Sequence, residues 1–178
     1  MVANWNFMDR TSNYAKLIVS GKKRSGKSEY LACQRHLEDM KRKDFEYTFD
    51  VKEAEKYINI ANLLTIGEGI AKQQLKVRGF QEFIIGSLFG WRKKRSRVRR
   101  YREAYVQMAR KNGKSFIAAV LCIFYSLFSG YRYGQIYLAA TKQQQAEIVF
   151  NEVRKFIESD EELLGEYKIT KLPLSLTA

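Results

Sequence analysis

The stretch Tyr105-Val106-Gln107-Met108-Ala109-Arg110-Lys111-Asn112-Gly113-Lys114-Ser115 carries the residue types that hold a phosphate chain. Glycine lets backbone amides approach an anion, lysine reaches β- and γ-phosphates, and the next hydroxyl ligates Mg²⁺. Gly113, Lys114 and Ser115 supply these in that order. The apolar run Phe116-Ile117-Ala118-Ala119-Val120-Leu121 then reads as a buried helix. Its N-terminal amides and positive dipole end would face the anion. The spacing G-x-x-x-x-G-K-S/T asks for glycine at 108, where this chain has Met108.

A second stretch, Gly21-Lys22-Lys23-Arg24-Ser25-Gly26-Lys27-Ser28, meets the full spacing and follows Leu17-Ile18-Val19. The elements that must position a phosphate loop decide between the two. Such a loop joins a strand of a parallel sheet to a helix that crosses over to another strand. Tyr105 to Ala109 reads as the first strand and Phe116 to Phe128 as the helix. Gly130 breaks the chain, and Gln135-Ile136-Tyr137-Leu138-Ala139-Ala140-Thr141 reads as the next strand. After Ser28, apolar Tyr30, Leu31, Ala32, Cys33, Leu37 and Met40 mix with Glu29, Arg35, Glu38 and Asp39. That is an amphipathic surface helix with more helix after it rather than a strand. Lys114 is therefore the nucleotide lysine, and Lys27 sits in a basic interhelical loop.

The leading residues read as helices over about 11–20, 26–42 and 51–64. Thr11-Ser12 would cap the first, with Gly21 at its end. Asp50 with Glu53 resembles a capping box opening the third, which sets Tyr57, Ile58, Ala61 and Leu64 on one face. Ile66-Gly67-Glu68-Gly69 is the best linker. Beyond it, Phe80 to Trp91 reads as a short helix with Phe80, Phe83 and Ile84 towards the core. Cys33, His36 and Asp39 could share a helix face, but they make half a zinc site at most, and no second Cys/His pair exists. His36 reads as a packing or surface histidine. The two cysteines, Cys33 and Cys122, form no disulfide framework, so a reducing compartment is the expectation.

Hydrophobic content of 46% and aromatic content of 13% exclude a disordered chain. The apolar run Phe116 to Phe128 falls short of the roughly 20 residues needed to cross a bilayer, and no signal peptide opens the chain, so a soluble protein is expected. A net charge of +13 and a pI near 9.7 point to a polyanionic partner. Arg92, Lys93, Lys94, Arg95, Arg97, Arg99, Arg100 and Arg102 crowd one acid-free run. No core strand can contain them, so the run is a protruding turn or hairpin, either touching nucleic acid or simply solvated. A Gln81 amide could match the N6 and N7 edge of adenine, since it both donates and accepts.

Together these residues resemble a known family. Phe80-Gln81, Phe89-Gly90-Trp91, the basic segment, Ala109 to Ser115, and Ala139-Ala140-Thr141-Lys142 with Gln145-Ala146 are similar to the ATPase region of the terminase large subunit of tailed bacteriophages. Tyr14-Ala15, Ser20-Gly21-Lys22 and Ala32 to Leu37 resemble its N-terminal helical segment, so the likeness spans about 10–157. Arg-Lys-Asn-Gly-Lys-Ser is its most specific part, because that family tolerates a Walker A loop without the first glycine.

The resemblance implies an α/β chain. An N-terminal helical segment (1–66) would precede the first part of a P-loop NTPase (ASCE/RecA-like) parallel sheet, incomplete (67–178). It implies a motor that uses ATP and Mg²⁺ to drive double-stranded DNA into a procapsid, with a nuclease domain following. Gln81 would read adenine, Asn112, Gly113, Lys114 and Ser115 would hold the nucleotide, Ser115 would ligate the metal, and Arg110 would stabilise γ-phosphate charge. Thr141 to Gln145 would couple nucleotide state to DNA. The implied partners are double-stranded DNA, the terminase small subunit, the portal and a homo-oligomeric ring, with no membrane, in the cytoplasm of the infected bacterial host. A Walker B acid and nuclease carboxylates are not found. Glu158, Asp160, Glu161 and Glu162 read as a helix end or loop, so the chain is expected to be the N-terminal part of such a protein, unable to turn over ATP alone. The rival expectation is a basic nucleic-acid-binding or assembly module with a non-hydrolysing, P-loop-like fold.

Overall fold

Helix α1 (Arg10–Val19) starts where the Asp9 carboxylate accepts the Ser12 amide at 2.9 Å. The cap is Asp9 rather than the expected Thr11-Ser12, both of which lie inside the helix, buried. At its far end Gly21 takes φ +74, and its amide donates to the Ile18 carbonyl at 3.0 Å. Glycine is suited to this left-handed stop. A computed structural model of the chain describes residues 9–66, 73–128, 135–166, 168–170 and 175–177. The opening eight residues, most of the expected linker, and Gly130 lie outside them.

The chain divides into two compact units, one of residues up to Asn62 with Lys76–Tyr105, the other of Leu63–Leu75 with Val106–Ala178. This division differs from the expected boundary at 66/67, because the segment after the linker packs on the leading helices.

In the first unit, α1 packs against α2 (Lys27–Lys41) and α4 (Gly79–Gly90). Tyr14, Ala15, Ile18, Cys33 and Phe83 form one buried cluster. α4 lies close to where it is expected and buries Phe83, Ile85 and Phe89, while Phe80 and Ile84 are half-buried. Gly86 lets α1 come close: a Cβ there would lie 1.8 Å from Thr11 Oγ1. Strand β1 (Tyr47–Phe49) falls in the gap between the expected helices 26–42 and 51–64, where more helix rather than a strand is expected to follow, and pairs antiparallel with β4 (Trp91–Lys93), setting Phe49 opposite Trp91. That pairing needs partners far apart in sequence, which local periodicity does not reveal. α3 (Val51–Leu63) buries Tyr57, Ile58 and Ala61 as expected. Asp50 Oδ1 accepts the Glu53 amide at 3.1 Å, but the box stays half-made. The Asp50 amide already donates to Gly90 O at 2.8 Å, and Glu53 turns to Arg92 at 2.7 Å. Arg10 ties α1 to α3 through Glu55 at 2.7 Å and to α4 through Glu82 at 3.6 Å.

In the second unit, α5 (Lys114–Phe128) packs on α6 (Gln143–Glu158). Ile117, Val120 and Phe124 from α5 and Val153, Phe156 and Ile157 from α6 are buried at helical spacing. A short helix α7 (Glu161–Glu166) follows, with Asp160 Oδ1 accepting the Leu163 amide at 3.2 Å. Two antiparallel pairs complete it: β2 (Thr65–Ile66) with β3 (Gln73–Gln74), and β5 (Lys168–Thr170) with β6 (Ser175–Thr177). The expected strands at 105–109 and 135–141 do not form as strands, and the sheets among the described residues are all two-stranded and antiparallel. A strand exists only when a neighbour completes its ladder. Here Tyr105 is 89% and Tyr137 82% exposed.

Candidate functional site

The loop before α5 is shaped by two residues in the left-handed region, Lys111 at φ 64 and Gly113 at φ 77. Arg110 and Asn112 beside them have no positive φ, so the sign alternates from Arg110 to Gly113. Such alternation turns successive amides to one side and makes an anion-binding concavity. Gly113 precedes the helix, its carbonyl accepting the Ile117 amide at 3.0 Å, and Lys114 and Ser115 open the first turn. The Asn112 side-chain amide donates to the Ala109 and Arg110 carbonyls, each at 3.3 Å, and holds the turn closed. Arg110, Lys111 and Lys114 are exposed and Ser115 is half-buried. The Asn-Gly pair at 112–113 is a readable turn signal. Nothing in the sequence marks Lys111 as left-handed.

The competing loop is built otherwise. Gly21 ends α1, and Gly26 is extended at φ −76, ψ 162 as the residue before α2. Lys23 Nζ lies 4.6 Å over the Tyr14 ring. This is a helix–loop–helix connection, as the sequence context indicates.

Gln81 belongs to the first unit. It is buried, and its Oε1 accepts the Arg78 amide at 2.8 Å, which spends part of its hydrogen-bonding capacity on capping α4. Thr141 does not cap α6, whose preceding residue is Lys142; its hydroxyl reaches Gln145 Oε1 at 3.2 Å.

The basic run forms a hairpin. The Lys93 amide donates to Val98 O at 2.8 Å and the Arg100 amide to Trp91 O at 2.9 Å, with Arg97 left-handed at φ 58 in the turn. Its cations are not equivalent. Arg92 pairs with Glu53 at 2.7 Å, Lys93 with Glu46 at 3.0 Å, and Arg97 with Asp50. Burial pushes the Asp50 carboxyl up, but the Glu53 amide and Arg97 outweigh it and hold it below the usual range. Arg100 meets buried Asp39 at 2.7 Å, its guanidinium 4.7 Å from the Phe45 ring centroid, 4.9 Å from Tyr101 and 5.0 Å from Trp91. Arg99 lies 5.5 Å over Phe89. Lys94, Arg95 and Arg102 are exposed and have no carboxylate partner among the described residues.

One pair has the spacing of catalysis without its chemistry. Ser12 Oγ and His36 Nε2 are 2.9 Å apart. Trp91 Nε1–H donates to His36 Nδ1 at 2.9 Å, so Nε2 carries the proton and donates to Ser12, and His36 cannot act as its base. Burial pushes His36 down to about 4 and Cys33 up to about 12. Both cysteines are free thiols, and no His/Cys/Asp/Glu group among the described residues could hold a metal. No helix among them is long and apolar enough to cross a membrane.

The sequence model of the family described as "Terminase large subunit, ATPase domain" matches residues 79–170, more than half of the chain. This chain belongs to the terminase large-subunit ATPase family. The match starts at the first residue of α4 in the first unit and runs through the Lys111–Ser115 loop to β5. A structure search finds the crystal structure of the HK97 bacteriophage large terminase, with a TM-score of 0.57 and 23% identity over 69% of this chain. The terminase-family chain described here spans 24% of that protein's length. No curated protein matches it. An ATPase-domain family and this likeness give a helix-rich fold of terminase type, and the family implies nucleotide use.

Proposed function

We propose that this chain carries the ATP-binding loop of a DNA-packaging motor that drives double-stranded DNA into a procapsid. The observation that carries the reading is the alternating-φ loop opening directly onto Lys114 and Ser115 at the head of α5, in a chain of an ATPase-domain family. In this reading the amides of Asn112 to Ser115 cradle the phosphates. Lys114 reaches the β- and γ-oxygens, the Ser115 hydroxyl takes Mg²⁺, and Arg110 offsets charge developing on the transferred group. Gln81 keeps its amide nitrogen for the adenine edge while its oxygen caps α4. Residues 105–109 and 135–141 take their places in a parallel sheet in the working protein. The hairpin cations contact DNA phosphates, and the protein acts in the host cytoplasm with a small subunit and a portal, as a ring.

The test is calorimetric titration with Mg-ATP. Lys114→Ala should weaken binding about tenfold to a hundredfold, the range for removing a charge-assisted hydrogen bond, while Lys27→Ala stays close to native. Equal losses, or a loss from Lys27→Ala alone, would move the site to Gly21–Ser28. Absence of nucleotide binding by the native chain would leave the rival reading, a basic assembly module.

A further inference from the structure

A lysine held at φ 64 in an exposed loop is an uncommon conformation with an energetic cost, since its Cβ crowds the following carbonyl. Such a cost persists where the surroundings impose it, and it gathers at functional sites. Around Lys111 those surroundings are two. The neighbouring Asn112 side chain bonds the two carbonyls that precede Lys111, those of Ala109 and Arg110, and Gly113 repeats the left-handed turn two residues on. The chain has Met108 where the phosphate-loop spacing asks for glycine, so that residue does not supply the curvature.

We infer that Lys111 is a positioning residue for the nucleotide loop, acting through its left-handed backbone rather than its ammonium, with Asn112 as the clamp that imposes it. The inference rests on the nucleotide reading above. Lys111 and Asn112 together do the shaping that glycine performs elsewhere, and they preform the row of amides from Asn112 to Ser115 before any anion arrives. Its consequence is that residue 111 is chosen by tolerance of positive φ. Glycine and asparagine tolerate that region best, and a β-branched residue is the worst suited.

The experiment titrates the 178-residue chain with Mg-ATP, comparing the native protein with Lys111→Gly, Lys111→Asn, Lys111→Arg, Lys111→Val and Asn112→Ala. Thermal unfolding checks that each variant is folded at the titration temperature. Backbone control predicts that Lys111→Gly, Lys111→Asn and Lys111→Arg stay within about threefold of native. Lys111→Val and Asn112→Ala should weaken binding about tenfold. Affinity that follows charge, with Arg native-like and Gly, Asn and Val equally weak, overturns the inference, as does Val binding as tightly as Gly. Lys114→Ala is run alongside. If the native chain binds and Lys114→Ala does not, a flat Lys111 series sinks this inference alone. If Lys114→Ala binds as well as native, the nucleotide reading itself fails.

Discussion

His36 shows how a single buried side chain can tie several elements together. Its two nitrogens join Ser12 on α1 to Trp91 on β4, and its ring stands edge-on to Phe49 at 4.7 Å and Phe83 at 5.7 Å. Protonation would set Nδ1–H against the Trp91 N–H inside an apolar cluster. Burial is the main reason its pKa falls from 6.5 to about 4; Arg100 pushes the same way, while Asp9 and Asp39 oppose it. The unfolded chain therefore takes up this proton first. The stabilisation is complete above pH 6.5 and is lost as pH falls from 6.5 towards 4, by up to about 3 kcal/mol. Denaturant titrations of native and His36→Phe protein across that range should show the steeper pH dependence in the native chain. Parallel pH profiles would mean that the imidazole does not titrate as its burial requires.

Among elements, the α1–α4 contact depends on the missing Cβ of Gly86, which faces Thr11 Oγ1. Gly86→Ala must push the helices apart, and overpacking of this kind costs about 1–3 kcal/mol. A lower urea midpoint with an unchanged m-value is the expected result; an unchanged midpoint would show that Thr11 can turn aside. The hairpin separates into cations that hold it and cations that it presents. Arg100 is engaged with Asp39 and four rings, so Arg100→Ser should lower the melting temperature. Lys94, Arg95 and Arg102 are exposed. Replacing these three with Ser should leave folding intact and flatten the salt dependence of duplex DNA binding, by about 0.9 in log–log slope for each phosphate no longer neutralised. A slope unchanged in the triple variant would make the hairpin merely solvated.

At the scale of the molecule, the loop has phosphate contacts to offer, and among the described residues no hydrogen bond or ion pair brings a carboxylate to it. Four acids among the described residues of the second unit are committed to helices: Glu147 accepts from Gln143, Glu152 pairs with Lys155 at 2.9 Å, Glu158 with Arg154 at 3.6 Å, and Asp160 caps α7. Phosphoryl transfer is accelerated mostly by positioning and electrostatics, so binding without turnover is the expected behaviour. Steady-state phosphate release from Mg-ATP, with or without DNA, should not exceed that of Lys114→Ala. Turnover that vanishes in that variant would show that an acid is supplied after all, with Glu158, Asp160 and Glu161 the first positions to change.

Local physics made much of this chain readable from its residues. Helices over 10–19, 27–41 and 51–63 follow from apolar spacing, and the ends of two of them from Gly21 and Asp50, because a cap or a helical face depends on residues within a few positions. That Gly113–Ser115 opens α5 while Gly26–Ser28 joins α1 to α2 was likewise legible in the patterns around each loop. Tertiary structure decided what depends on distant partners. It paired β1 with β4, sent Glu53 to Arg92 instead of back to its own cap, and divided the hairpin cations into held and presented. It left 105–109 and 135–141 without a ladder, although their composition suits strands, because strand pairing is a property of two segments and not of one. It also set Lys111 left-handed, since residue type sets the cost of that backbone region but surrounding contacts decide whether it is occupied.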